Sequence, residues 1–118
     1  MRRKVVITGL STLAVETAER LSSGAIAEVV LLDSDGVAAQ AAAADLAAAA
    51  AGTLGSAARM RGAGAWDAAA GADVVVVCDG DPVDAARGVA ERCPGAVVAV
   101  ALDPVEEACA AILAEGRF

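Results

Sequence analysis

Residues 4–21 read KVVITGLSTLAVETAERL. Val5, Val6, Ile7 and Thr8 form a short run of the kind that makes a strand buried on both faces, and from about residue 12 to residue 22 the pattern is that of a helix. Gly9 lies between them and permits a tight turn. A strand that passes through such a turn into a helix aims the first unpaired amide groups of that helix, and the positive end of its dipole, at whatever lies beyond the strand. A pyrophosphate suits that place. In the G-x-G-x-x-G form of the turn a second glycine lets the ligand approach the backbone most closely. In GLSTLA that position is Ser11, and the third is Ala14, small enough for the helix to pack against the strand. Serine crowds the approach but offers a hydroxyl in return, so on its own this departure weakens the turn without abolishing it.

Outward from this unit the same alternation continues. Residues 28–32 (EVVLL), 73–78 (DVVVVC) and 96–101 (AVVAVA) read as strands, with a weaker strand near 57–61, and helices are expected over 12–22, 36–51, 81–92 and 104–115. This rhythm predicts one doubly wound α/β domain over residues 1–118, with a parallel sheet and helices on both faces. Asp81-Pro82 and Asp103-Pro104 each read as an N-cap followed by proline in the first helical position, Gly95 and Gly116 read as stops, and Gly62 to Gly64 reads as a mobile turn. The alanine-rich segment 36–51 has high helix propensity and side chains small enough for a neighbouring backbone to come close.

Composition excludes several function classes. The 118 residues carry a formal net charge of -7 with scattered basic groups, so nucleic acid is not an expected partner. No apolar run approaches the ~18–20 residues needed to cross a bilayer, and the basic start meets Glu16, Glu19 and Arg20 too soon for an export signal. No membrane association is expected. Cys78, Cys93 and Cys109 form no CxxC pair and there is no histidine, so no zinc site is expected and the thiols read as reduced, in a cytoplasmic protein. Cys78 as a nucleophile would lack its usual activating base, which favours a buried structural thiol.

Five segments in order, KVVITGLSTLAVETAERL, AIAEVVLLDSD, AAADLAAA, AWDAAAGADVVVVCDG and VVAVALDPVEEACAAIL, resemble the NAD-binding half of the lactate and malate dehydrogenases. The resemblance covers nearly the whole chain. It implies a Rossmann-like sheet of about five strands in the order 3-2-1-4-5, with NAD held by Gly9, Ser11, Thr12, Ala14, Asp33 and Gly80. Asp33 lies 24 positions after Gly9, at the end of the second strand, where a carboxylate accepts hydrogen bonds from the adenosine ribose. The plain alternative is an ordinary turn at Gly9 and a solvated strand end at Asp33.

The chain also departs from the family. VCDG puts Asp79 where the family has a Thr-Ala-Gly turn beside the cofactor. Pointing inward, that carboxylate would stand ~4–5 Å from a phosphate and cost ~3–4 kcal/mol at an effective dielectric of about 20. Pointing outward or protonated, it would cost nothing. Gly80 leads almost at once into DPVDAARGVAER, where the family has a long loop with substrate-binding arginines. The family's Asn-Pro is here Asp103-Pro104, and no histidine is present to serve as acid and base, so the family's hydride transfer is not expected from this chain alone.

Three readings of the acidic strand ends follow. In the plainest, Asp81 and Asp103 cap helices while Asp33, Asp79 and Asp84 are solvated. In the second, a binding module or pseudoenzyme keeps weakened affinity for NAD or a smaller adenine nucleotide through Gly9, Ser11 and Asp33. In the third, Asp79 and Asp103 bind a cationic group or a divalent metal, or form the acid/base pair of a small non-redox enzyme such as a cyclase, isomerase or dehydratase. A purely structural partner of a fuller dehydrogenase-like chain is a further alternative. Faces that the catalytic half would cover, and helix 36–51, call for a partner, and a homodimer is expected. Leu46, Leu54, Trp66 and Ile112 are candidates for that contact or for the core.

Overall fold

The computed structural model of the chain describes residues 3–22, 28–51 and 59–115. Strand β1 (Lys4–Thr8) leads into helix α1 (Thr12–Ser22), β2 (Glu28–Leu32) into α2 (Gly36–Ala51), and β3 (Arg59–Ala63) into a single 3-10 turn at Trp66–Ala69. Then come β4 (Val74–Val77), α3 (Pro82–Arg92), β5 (Val97–Val100) and α4 (Val105–Ala114). All pairings are parallel and the order is β3-β2-β1-β4-β5, as expected. β1 is central, with Val5, Val6 and Ile7 facing Val29, Val30 and Leu31 on one side and Val74, Val75 and Val76 on the other.

Side chains of a strand alternate between faces, so these β-branched runs feed two cores. Val6, Val30, Val75 and Val77 pack with Ala85 and Val89 of α3 and with the 3-10 turn. Val5, Ile7, Val29 and Leu31 pack with Ala14 and Ala18 of α1 and Ala43 of α2. Each fully buried aliphatic side chain contributes about 1.5–3 kcal/mol relative to exposure. Ile112 is buried, Leu46 is half-buried against the second core and Trp66 is half-buried against the first; Leu54 lies outside the described residues. Among the described residues, no helix is long and apolar enough to cross a membrane.

Four local expectations need correction or qualification. Gly62 is not in a turn: it is the fourth residue of β3, where a Cβ would strike the backbone of Ala39 and Gln40 in α2. Asp81 caps α3 as expected, its Oδ1 accepting from the Val83 amide at 2.9 Å. Asp103 does not cap α4, because the helix starts at Val105 and the carbonyl that accepts from the Ala108 amide is that of Pro104. Pro104 is thus the cap, and its ring supplies no acceptor. Gly95 does not terminate α3 in a left-handed conformation; the cap is Cys93, whose amide reaches the carbonyl of Val89 at 2.9 Å, while Gly116 lies outside the described residues.

Candidate functional site

The strand ends at the carboxyl edge of the sheet surround a cleft of about 580 Å³. Its floor is Thr8, the last residue of β1, and Gly9, its second-strand side is Leu32 and Asp33, and its fourth-strand side is Asp79 and Gly80. Trp66 closes a further side, with its indole packed so tightly on α3 that a Cβ at Gly88 would overlap the ring.

Asp79 decides the character of this site. Its side chain points inward, over the glycine turn, and its Oδ2 accepts a hydrogen bond from the Ser11 amide at 2.9 Å. Gly9, at φ +93°, is the residue that admits it: a Cβ there would coincide with the Asp79 side chain. The protein's own carboxylate therefore holds one of the amides that a pyrophosphate would seek, at the end of α1 where the dipole favours negative charge. Thr8 fixes the turn that carries it. The Thr8 hydroxyl donates to the Asp79 carbonyl at 3.0 Å and accepts from the Cys78 amide at 3.1 Å.

The remaining expected residues divide into two groups. Gly9, Asp33 and Gly80 line the cleft, whereas Ser11, Thr12 and Ala14 are not part of its wall. The Ser11 hydroxyl instead accepts from the Ala14 amide at 3.2 Å, which makes it a cap of α1, and Ala14 is fully buried beneath the helix, consistent with close packing. Asp33 accepts from the Asp35 amide through Oδ2 at 2.9 Å, which orients the side chain and leaves its other oxygen for a ligand. Asp103 is exposed and lies outside the cleft wall, so Asp79 and Asp103 are not assembled around one cavity. Among the described residues, no group of three His, Cys, Asp or Glu side chains is placed to hold a metal.

Sequence reasoning missed the α3 side of the cleft, formed by Arg87, Gly88 and Glu91. Spacing could have revealed it, since residues 84, 87, 88 and 91 share a helix face and a glycine inside a helix often marks a close approach. The charge balance is lopsided. Among the described residues, Asp33, Asp79, Asp81, Asp84 and Glu91 line the cleft against one cation, Arg87, which is itself paired with Glu115 at 3.5 Å. Burial pushes the Cys78 thiol above its ordinary range and the neighbouring Asp79 charge adds to that, so this cysteine is poorly suited to nucleophilic work. Burial likewise raises Cys93, partly offset by Lys4.

Over its full length the chain is 32% identical, across 136 aligned positions, to malate dehydrogenase from Thermomicrobium roseum, of which it covers 44%. The chain matches the N-terminal, NAD-binding part of malate and lactate dehydrogenases. Among solved structures, malate dehydrogenase from Aeropyrum pernix matches 94% of the chain at TM-score 0.87 and 24% identity, with 40% of that protein covered. Lactate dehydrogenase from Eimeria maxima, solved with NADH and oxamate, matches 96% at TM-score 0.84 and 20% identity, again with 40% covered. Malate dehydrogenase from Archaeoglobus fulgidus in complex with NADH matches 95% at TM-score 0.87 and 21% identity, with 44% covered. The chain thus spans less than half the length of these dehydrogenases, and no family model matches it.

Proposed function

We propose that this dehydrogenase-type domain is a binding module or pseudoenzyme that takes an adenine nucleotide weakly and performs no hydride transfer on its own. The observation that carries the reading is the cleft at the carboxyl edge, which joins the Gly9 turn to the Asp33 carboxylate. Dehydrogenases of the same fold that contain NADH support NAD as the type of ligand. Weakness follows from Asp79, which competes with any phosphate for the Ser11 amide. The absence of a histidine removes the usual acid/base, and α3 begins at Pro82, two residues after Gly80, where a substrate loop would have to fit. The three free cysteines suit a cytoplasmic setting.

Calorimetric titration with NADH is expected to give a Kd on the order of 100 µM to 1 mM. In Asp33→Ala the affinity should fall at least about tenfold, since hydrogen bonds to a charged carboxylate contribute ~1.5–3 kcal/mol. Absence of heat at several millimolar NADH, or an unchanged Kd in the variant, rejects the reading.

Homodimerisation belongs to the same proposal. Support comes from α2, whose outward side carries Val37 at 78% exposure, small alanines and a single charge, Asp45. Sedimentation at about ten micromolar should show a species of twice the chain mass, and a monomer there would refute it.

A further inference from the structure

The inward-turned Asp79 also specifies which adenine ligand the cleft prefers. We infer that the site is built for a nucleoside whose 5′ substituent is uncharged or cationic, and that Asp79 stands in for the phosphate a dinucleotide would bring. This rests on the reading above that Asp33 receives the adenosine ribose, and it adds the chemical class of the ligand.

A glycine turn feeding a helix attracts anions because its amides lack partners, but here the Ser11 amide is already satisfied by the Asp79 carboxylate at 2.9 Å. The Thr8 hydroxyl fixes the backbone of the turn through the Asp79 carbonyl at 3.0 Å and the Cys78 amide at 3.1 Å, so turning the carboxylate aside means giving up its hydrogen bond with the Ser11 amide. An entering phosphate would therefore have to displace one anion while approaching others. Asp81 and Asp84 border the same side of the cavity, and Arg87, the one cation among the described lining residues, is drawn toward Glu115.

Everything else about the cavity still suits a nucleoside. Its volume of about 580 Å³ is ample for adenosine, Asp33 offers a free carboxylate oxygen, and Trp66 supplies an aromatic wall. The Gly9 turn and Asp33 are walls of one cavity, and in this reading a ribose held at Asp33 places its 5′ substituent beside that turn. An ammonium there meets Asp79, a hydroxyl there accepts or donates freely, and a phosphate there is repelled.

The test is calorimetry of the whole chain at low ionic strength with 5′-amino-5′-deoxyadenosine, adenosine, AMP and NADH. The expected order has the aminonucleoside and adenosine binding at least about tenfold tighter than AMP or NADH. Asp79→Asn keeps an acceptor for the Ser11 amide while removing the charge, so it should fold as the parent does. In that variant the gap between adenosine and AMP should shrink about tenfold. AMP or NADH binding as tightly as adenosine to the parent chain would overturn the inference and leave the Asp33 reading standing. An unchanged gap in Asp79→Asn would also overturn it. Failure of all four ligands to bind either protein would overturn both.

Discussion

Gly62→Ala is expected to destabilise the domain by about 3 kcal/mol or more, although it adds one methyl group to a partly buried strand. The reason lies in what the methyl group meets. In β3 a Cβ at residue 62 would land on the carbonyl carbon and oxygen of Ala39 and the amide nitrogen of Gln40, all backbone of α2. A side chain in that place could rotate away, but a helix backbone must move as a body. Lifting α2 exposes Ala39 and Ala43, which are buried, and loosens Leu46 from the second core. Equilibrium urea unfolding should show the loss as a fall of about 1 M or more in the midpoint, given ~1–3 kcal/mol/M for a small domain. Ala39→Gly in the same chain should not restore stability, because the obstruction is main chain. A midpoint shift below about 0.3 M would show that α2 is not seated as described.

Thr8→Val is expected to cost about 2 kcal/mol, close to the penalty for leaving a buried amide without a partner. Thr8 is 6% exposed, and valine reproduces its shape, so packing is nearly conserved. What disappears is the hydroxyl, and with it the acceptor for the buried Cys78 amide and the donor to the Asp79 carbonyl. The local consequence should exceed the global one. Amide hydrogen exchange at Cys78 and Asp79 should accelerate well beyond the change at Val75 or Val77, which stay in the sheet. Thr8→Ser retains the hydroxyl and should keep those amides protected; equal acceleration in both variants would show that the turn is held by something else.

Much of this architecture was legible because its strands are short β-branched runs between helices. The order of those strands, which rested on the family resemblance, agrees with the structure, while the edge strand was harder to read. RMRGA, residues 59–63, has few β-formers, pairs with β2 alone among the described residues, and contains a glycine that local propensity assigns to a turn. Only the close approach of α2 explains Gly62, and that approach is a tertiary fact. Asp103 misled for a related reason: Asp-Pro is a good helix start by spacing, yet the helix begins one residue later.

At the site, Gly9 and Asp33 were readable because both lie at fixed distances along one strand-turn-helix-strand unit. The direction of Asp79 was not. Ser11 and Asp79 are 68 residues apart, and whether a carboxylate turns inward depends on how closely two loops approach each other. Spacing along the chain contains no such information. Arg87 and Glu91 differ in this respect: their spacing with Gly88 on one helix face was available in the sequence, but that this face borders the cleft beside Trp66 is a tertiary fact.

Trp66 has one more consequence. The chain has no tyrosine, a single phenylalanine and this single tryptophan. Its indole leans on Gly88 and faces the cavity, so the whole long-wavelength emission of the protein originates from one wall of the binding site. Nature has left the molecule with a built-in lamp: a molecule entering beside the indole alters its brightness or colour directly, unfolding shifts it toward the hue of water-exposed indole, and neither signal needs a label.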